Sequence, residues 1–212
     1  MDTTTSDLTA ALLPLFPDFG SEGRHLVPVL FRLLGRGYPV DAEELADRAE
    51  WAAEAVRRLL DGWRGVRYDE DGRIIGFWGL DLFPTRHHLR VGERDLFAWG
   101  AWDPLVLPFL LEEEVALTSR CFATDDDILL RVAPQGVLDS EPEDVRLAFR
   151  VPETEAVRYG VRAAFNQHIG FLAGPEPEAG WRDLPPGTQV LSLEEGFRLG
   201  QAVWTHLLDG EP

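Results

Sequence analysis

The sequence predicts an α+β protein in two parts: a winged-helix-like N-terminal domain of three helices and a hairpin over residues 1–79, and a core of mixed, mainly antiparallel sheet with helices over residues 80–212. Three observations predict it. Apolar residues recur at helical spacing in successive stretches before residue 60, Asp71-Gly72 separates two β-rich runs, and from Leu80 onward short segments alternate apolar and polar residues between turns.

Taken in order, residues 7–16 read as a short helix behind a polar start. Leu26, Val27, Leu30, Leu33 and Leu34 form the apolar stripe of a second helix, which Gly35 and Gly37 stop. Asp41 three residues before Glu44 has the form of a capping box, with Asp in place of Ser or Thr, and opens a helix that turns Leu45 and Ala49 inward. The next helix, at 52–60, carries Ala55, Val56, Leu59 and Leu60 on one face, and VRYDEDGRIIGF follows as a hairpin. In the second half, LDLFPTRHHLRV, RDLFAW, VALTSRCFA, DILLRV and VRLAFRV read as strands. Helices at 104–111 and 154–165 interrupt them. Residues 172–186, rich in Gly, Pro and Glu, read as a surface loop, and Ser192 with Glu195 caps a final helix at 193–208.

Composition excludes several functions. With 45% apolar and 27% charged residues the chain is globular, and no apolar run approaches the roughly 18 to 20 residues of a membrane span. The start MDTTTSDLTA carries acid where a secretion signal carries base, so a cytoplasmic location is expected. A formal charge of −17 repels a phosphate backbone on balance, which disfavours a nucleic-acid partner. All 20 basic residues are arginine, which removes lysine Schiff-base chemistry. One cysteine, Cys121, cannot form an internal disulfide or a CxxC knuckle. There is no HxH, HExxH, GxSxG or Gly-rich phosphate loop, so neither a metal nor a cofactor is expected.

Two clusters can carry chemistry. Asp103 follows Trp99-Gly100-Ala101-Trp102 and precedes Pro104. By residue type this is first a helix start, Asp at the N-cap and Pro at the first helical position. A carboxylate beside Trp99 and Trp102 is also poorly solvated, which raises its pKa and suits it to proton transfer. Phe165-Asn166-Gln167-His168 sets three polar side chains at an apolar junction, where they need partners, unless Asn166 closes the helix and the others face water. His87 and His88 point to opposite faces of a strand and cannot share a metal.

The stretches LVPVLFRLLGRGYPV, VRYDEDGRIIGFWGLDL, LFAWGAWDPLVLP, TSRCFAT, VRAAFNQHIGF and LSLEEGFRLGQAVWTHLL resemble, in order and spacing, the organomercurial (alkylmercury) lyase family over about residues 24–208. The resemblance implies a lyase core behind a winged-helix-like domain, and protonolysis of a carbon–mercury bond by two cysteines and an aspartate. It carries the aspartate onto Asp103. In the family's W-C-A-x-D pattern the first cysteine falls on Gly100, and in F-C-C-H the second, which follows the phenylalanine, falls on Asn166, with Gln167 next and His168 kept. Cys121 falls where many members carry a further, structural cysteine.

Mercury is soft, and the family reaction uses two thiolates to load electron density onto the metal while an acid protonates carbon. The residues therefore imply the scaffold without that mechanism: an enzyme performing Asp-assisted proton transfer, of lyase, isomerase, cyclase or hydrolase type, on a small organic molecule. Asp103, Asn166 and His168 are the expected catalytic residues, and Trp99, Trp102, Phe165 and Gln167 the substrate-binding ones. The alternative is a non-catalytic ligand-binding or DNA-binding regulator, with Arg57, Arg58, Arg64, Arg67 and Arg73 on the reading helix and wing and Glu50, Glu54, Asp61, Asp69, Glu70 and Asp71 opposing them. No heptad or interface stripe indicates an oligomeric state.

Overall fold

The early helical periodicity is realised as α1 (Thr3–Leu12), α2 (Gly20–Leu34), α3 (Ala42–Ala49) and α4 (Ala53–Gly62) in a computed structural model that describes residues 3–174 and 184–210. The helix expected at 7–16 begins earlier and ends at Leu12, giving way to a 3-10 turn, Leu13–Leu15. Pro14 explains the change, because its ring would clash with the preceding turn of a continued α-helix. Leu26, Val27, Leu30, Leu33 and Leu34 are all buried on α2, and Gly35 caps it. The expected capping box at Asp41 is not formed: its side chain accepts no cap hydrogen bond, and Glu44 pairs instead with Arg36. On α4, Val56 and Leu60 face the core.

The hairpin is β1 (Val66–Tyr68) and β2 (Ile74–Phe77), whose turn is tied by Asp69 Oδ1 accepting from the backbone N–H groups of Asp71 and Arg73 at 3.0 and 2.8 Å. The sheet continues directly into the second half. Trp78 and Gly79, both with positive φ (31° and 101°), make a two-residue turn that pairs β2 with β3 (Leu80–Asp81). After β4 (His87–Val91), β5 (Arg94–Ala98), β6 (Val115–Arg120), β7 (Asp127–Ala133) and β8 (Gly136–Glu141), the result is one antiparallel sheet of order β1-β2-β3-β5-β4-β6-β7-β8. A second sheet sets β9 (Arg146–Phe149) between β10 (Ile169–Leu172) and β11 (Gln189–Ser192).

Four helices complete the core: α5 (Asp103–Leu111), α6 (Thr154–Tyr159), α7 (Val161–Asn166) and α8 (Leu193–Asp209). The single helix expected at 154–165 is two, broken at Gly160, whose extended backbone ends α6 and starts α7. Ser192 and Glu195 do form their capping box. Most of the loop expected at 172–186 lies outside the described residues. α8 approaches α5 through two glycines one turn apart: a Cβ on Gly196 would come 2.9 Å from Leu105, and one on Gly200 would run into Val106. One contiguous apolar core runs from Leu8 on α1 to Trp204 on α8, so the helices of the first half and the sheet of the second bury each other.

Candidate active site

Asp103 is the first residue of α5, one place further in than the N-cap position, which Trp102 occupies. Its side chain does not cap that helix. It turns back onto the preceding loop, where Oδ2 accepts from the Gly100 N–H at 2.7 Å. Gly79 closes over it from the β2–β3 turn, so near that a Cβ there would lie 2.7 Å from the carboxyl carbon. Burial raises the Asp103 pKa to about 7, against which the backbone hydrogen bonds from Gly100 and Trp99 pull only part of the way.

A cavity of about 20 Å³, room for about one water, adjoins the carboxyl. Trp99, Trp102, Phe165 and Asp103 line it together, joined by Phe16, Trp78 and Gly79 from the N-terminal half. The rings are held rather than loose: Trp102 Nε1 donates to the Gly196 carbonyl at 2.9 Å, Trp99 Nε1 to Asp81 Oδ2 at 2.8 Å, and Trp78 Nε1 to the Arg64 carbonyl at 2.8 Å. Trp102 stacks parallel to Phe165, centroids 6.5 Å apart, and Trp78 stacks on Phe16 at 4.2 Å.

Asn166, last in α7, comes to the same place from the far side. Its Oδ1 is buried with no hydrogen-bond partner and points at Gly100: a Cβ there would lie 2.9 Å from that oxygen and 3.6 Å from Asp103 Oδ2. Gln167 and His168 do not join them. They line a separate small cavity with Arg150, whose Nη2 sits 2.6 Å from His168 Nδ1, and burial followed by the Arg150 charge lowers the His168 pKa. The reason is helical geometry: Asn166 closes α7, and the chain then turns away toward β10. Cys121 is buried, its Sγ accepting from the Ala173 N–H at 3.3 Å.

Phe16, Trp78 and Gly79 were not evident as site residues in the sequence. The one local signal was Trp78-Gly79 between two apolar runs, a turn pair whose glycine also admits the Asp103 carboxyl. On the wing and reading helix, Arg57 and Arg58 pair with Glu54, Arg57 also with Glu43, Arg67 with Asp81, and Arg73 with Asp69 and Asp71. Among the described residues no group of three or more His, Cys, Asp or Glu is placed to hold a metal, and no helix is long and apolar enough to cross a membrane.

A family model for alkylmercury lyase matches residues 80–205, and one for the helix-turn-helix domain of alkylmercury lyase matches residues 8–78. The chain belongs to the alkylmercury lyase family. It is 35% identical over 195 residues to an alkylmercury lyase of Pseudomonas putida, covering 89% of this chain and 90% of that one. An alkylmercury lyase of Streptomyces lividans is 32% identical over 213 residues, covering 100% and 97%; one of Bacillus cereus is 32% identical over 193 residues, covering 91% and 87%. The fold is that of the crystal structure of the mercury-bound form of MerB2, with a TM-score of 0.74 at 20% identity over 97% of this chain and 100% of that one. Within the alkylmercury lyase family, this chain has one cysteine, away from the Gly100–Asp103–Asn166 cluster in sequence.

Proposed function

We propose that this member of the alkylmercury lyase family performs proton transfer on a small organic molecule without a mercury-cleaving thiol pair. The observation that carries the proposal is the triplet of Asp103, Gly100 and Asn166. The positions the resemblance aligns with paired thiols hold a glycine and an amide whose oxygen is unpartnered, while the acid beside them is kept. A carboxyl with a pKa of about 7 is present in both protonation states near neutral pH, so Asp103 can donate a proton in one step and recover it in another. The buried Asn166 Oδ1 is an acceptor without a donor, which is costly until a ligand N–H or O–H meets it. Asn166 is thus suited to orienting a donor group on the substrate. Trp99, Trp102 and Phe165 supply apolar walls that exclude water and keep the carboxyl poorly solvated. Gln167 and His168 have no part in this reading. With the arginines of the wing neutralised by acids, no nucleic-acid partner is included.

The test is turnover of candidate small organic substrates in D2O, followed by proton NMR for wild type and Asp103→Asn. Loss of exchange or conversion by roughly a hundredfold or more in the variant is expected. Unchanged turnover removes Asp103 from the mechanism.

A further inference from the structure

We propose that the substrate carries a carboxylate, and that the cleft formed by Arg86, His87, Arg120 and Arg162 beside Asp103 holds that group, with Arg162 as its principal ligand. The proposal rests on the reading of Asp103 as the proton-transfer group and names the class of molecule that reaches it.

The cleft, of about 340 Å³, lies between the start of β4, the end of β6 and α7. That is within the range of small-molecule sites, roughly 300 to 1,000 Å³, whereas the cavity at Asp103 itself has room for one reacting group only. The two are neighbours. Trp99 lines both, and Asn166 lines the cleft while turning its Oδ1 toward Gly100 and Asp103. Trp99 and Asn166 are therefore the side chains that separate a molecule anchored in the cleft from Asp103.

Charge selects the anchor. In a chain of net charge −17, none of the described residues lining this cleft is acidic, and three are arginines. Arg86 and Arg120 are paired with Asp125, and Arg120 also with Asp127. Arg162 is different. Its ionic partner among the described residues is Asp81, at 3.7 Å, beyond hydrogen-bond range. The fully buried Asp81 is already served by Arg67, by Trp99 Nε1 at 2.8 Å and by the Phe83 N–H at 3.0 Å. The half-exposed Arg162 fork thus keeps donors to spare, and a planar carboxylate matches that fork with two parallel bonds. His87 adds a neutral imidazole. Burial holds its pKa down to about 4, and Nδ1 lies 2.7 Å from Ser119 Oγ. Trp99, Phe122 and Phe171 offer apolar surface for the rest of the molecule.

Titrating the full-length protein with benzoate and with the neutral benzamide, by tryptophan fluorescence and calorimetry at low salt, tests this. Benzoate is expected to bind saturably and at least about tenfold more tightly than benzamide. Arg162→Gln should weaken benzoate by roughly tenfold or more and leave benzamide unchanged, and Arg162→Lys, which keeps the charge but not the fork, should fall between. Equal binding of the two probes by wild type, or wild-type benzoate affinity in a folded Arg162→Gln, would overturn the proposal. So would displacement of benzoate by inorganic phosphate at lower concentration. If Arg162→Gln does not fold, the benzoate–benzamide comparison on wild type and Arg162→Lys decides. Asp103→Asn should still bind benzoate, so a failure of the proton-transfer reading leaves a signature distinct from a failure of the carboxylate site.

Discussion

Burial makes the charged form of Asp103 less favourable than in the unfolded chain, although the backbone N–H groups of Gly100 and Trp99 favour it, and this has a measurable consequence. A carboxyl raised from 3.8 to about 7 binds more protons in the folded state across that interval. Its contribution to stability is therefore fully present below pH 4 and is lost as pH rises through about 7. Each unit corresponds to about 1.4 kcal/mol, so the strain at pH 8 is on the order of a few kcal/mol. Asp103→Asn removes it: denaturant unfolding should show the variant more stable than wild type at pH 8, with the difference shrinking to near zero by pH 4. A pH-independent difference would mean that Asp103 ionises normally. At this scale the sequence was legible where neighbours in the chain are neighbours in space, as for Trp99, Trp102 and Asp103. It was not legible for Asp81, Arg67 and Arg162, which meet only because β3, β1 and α7 converge. Nor did His168 follow Asn166 into the cluster, because it lies two residues past the end of α7, where the chain has turned toward β10.

The elements that hold the site depend on close approach between helices. Gly200 on α8 faces Val106 on α5, and a methyl group there has no space. Gly200→Ala should cost about 1–3 kcal/mol by overpacking, and Val106→Ala in the same chain should recover part of it, as a double-mutant cycle by thermal or chemical unfolding would show. Additive losses would place the clash elsewhere. Periodicity revealed α2 and α4 because their apolar stripes are long enough to count, as the Ser192–Glu195 capping box did α8. It did not reveal the break at Gly160, since a continuous 154–165 helix and two short ones share the same apolar spacing. The capping-box motif is misleading at Asp41–Glu44, where tertiary pairing of Glu44 with Arg36 takes the side chain that the local motif would use.

Across the whole molecule, the N-terminal half is part of the site and not an appendage. The sheet crosses from β2 into β3 without interruption, and the turn between them delivers Trp78 and Gly79 to the Asp103 cavity while Phe16 closes another wall. The scaffold was readable in the sequence because its motifs recur in order along the chain, and the same alignment exposed Gly100 and Asn166 where the resemblance implies thiols. The structure adds that these two residues face each other beside Asp103: a Cβ on Gly100 would press against Asn166 Oδ1 at 2.9 Å. The most direct measurement is headspace detection of methane from methylmercury chloride with excess free thiol, for wild type and for Gly100→Cys/Asn166→Cys with Asp103 intact. No methane above the protein-free rate is predicted from wild type, and measurable release from a folded double variant, in which the amide that would crowd Cys at position 100 is gone. Catalytic methane release by the wild-type protein would contradict the account, because it would show that the carbon–mercury bond is cleaved here without a thiol pair.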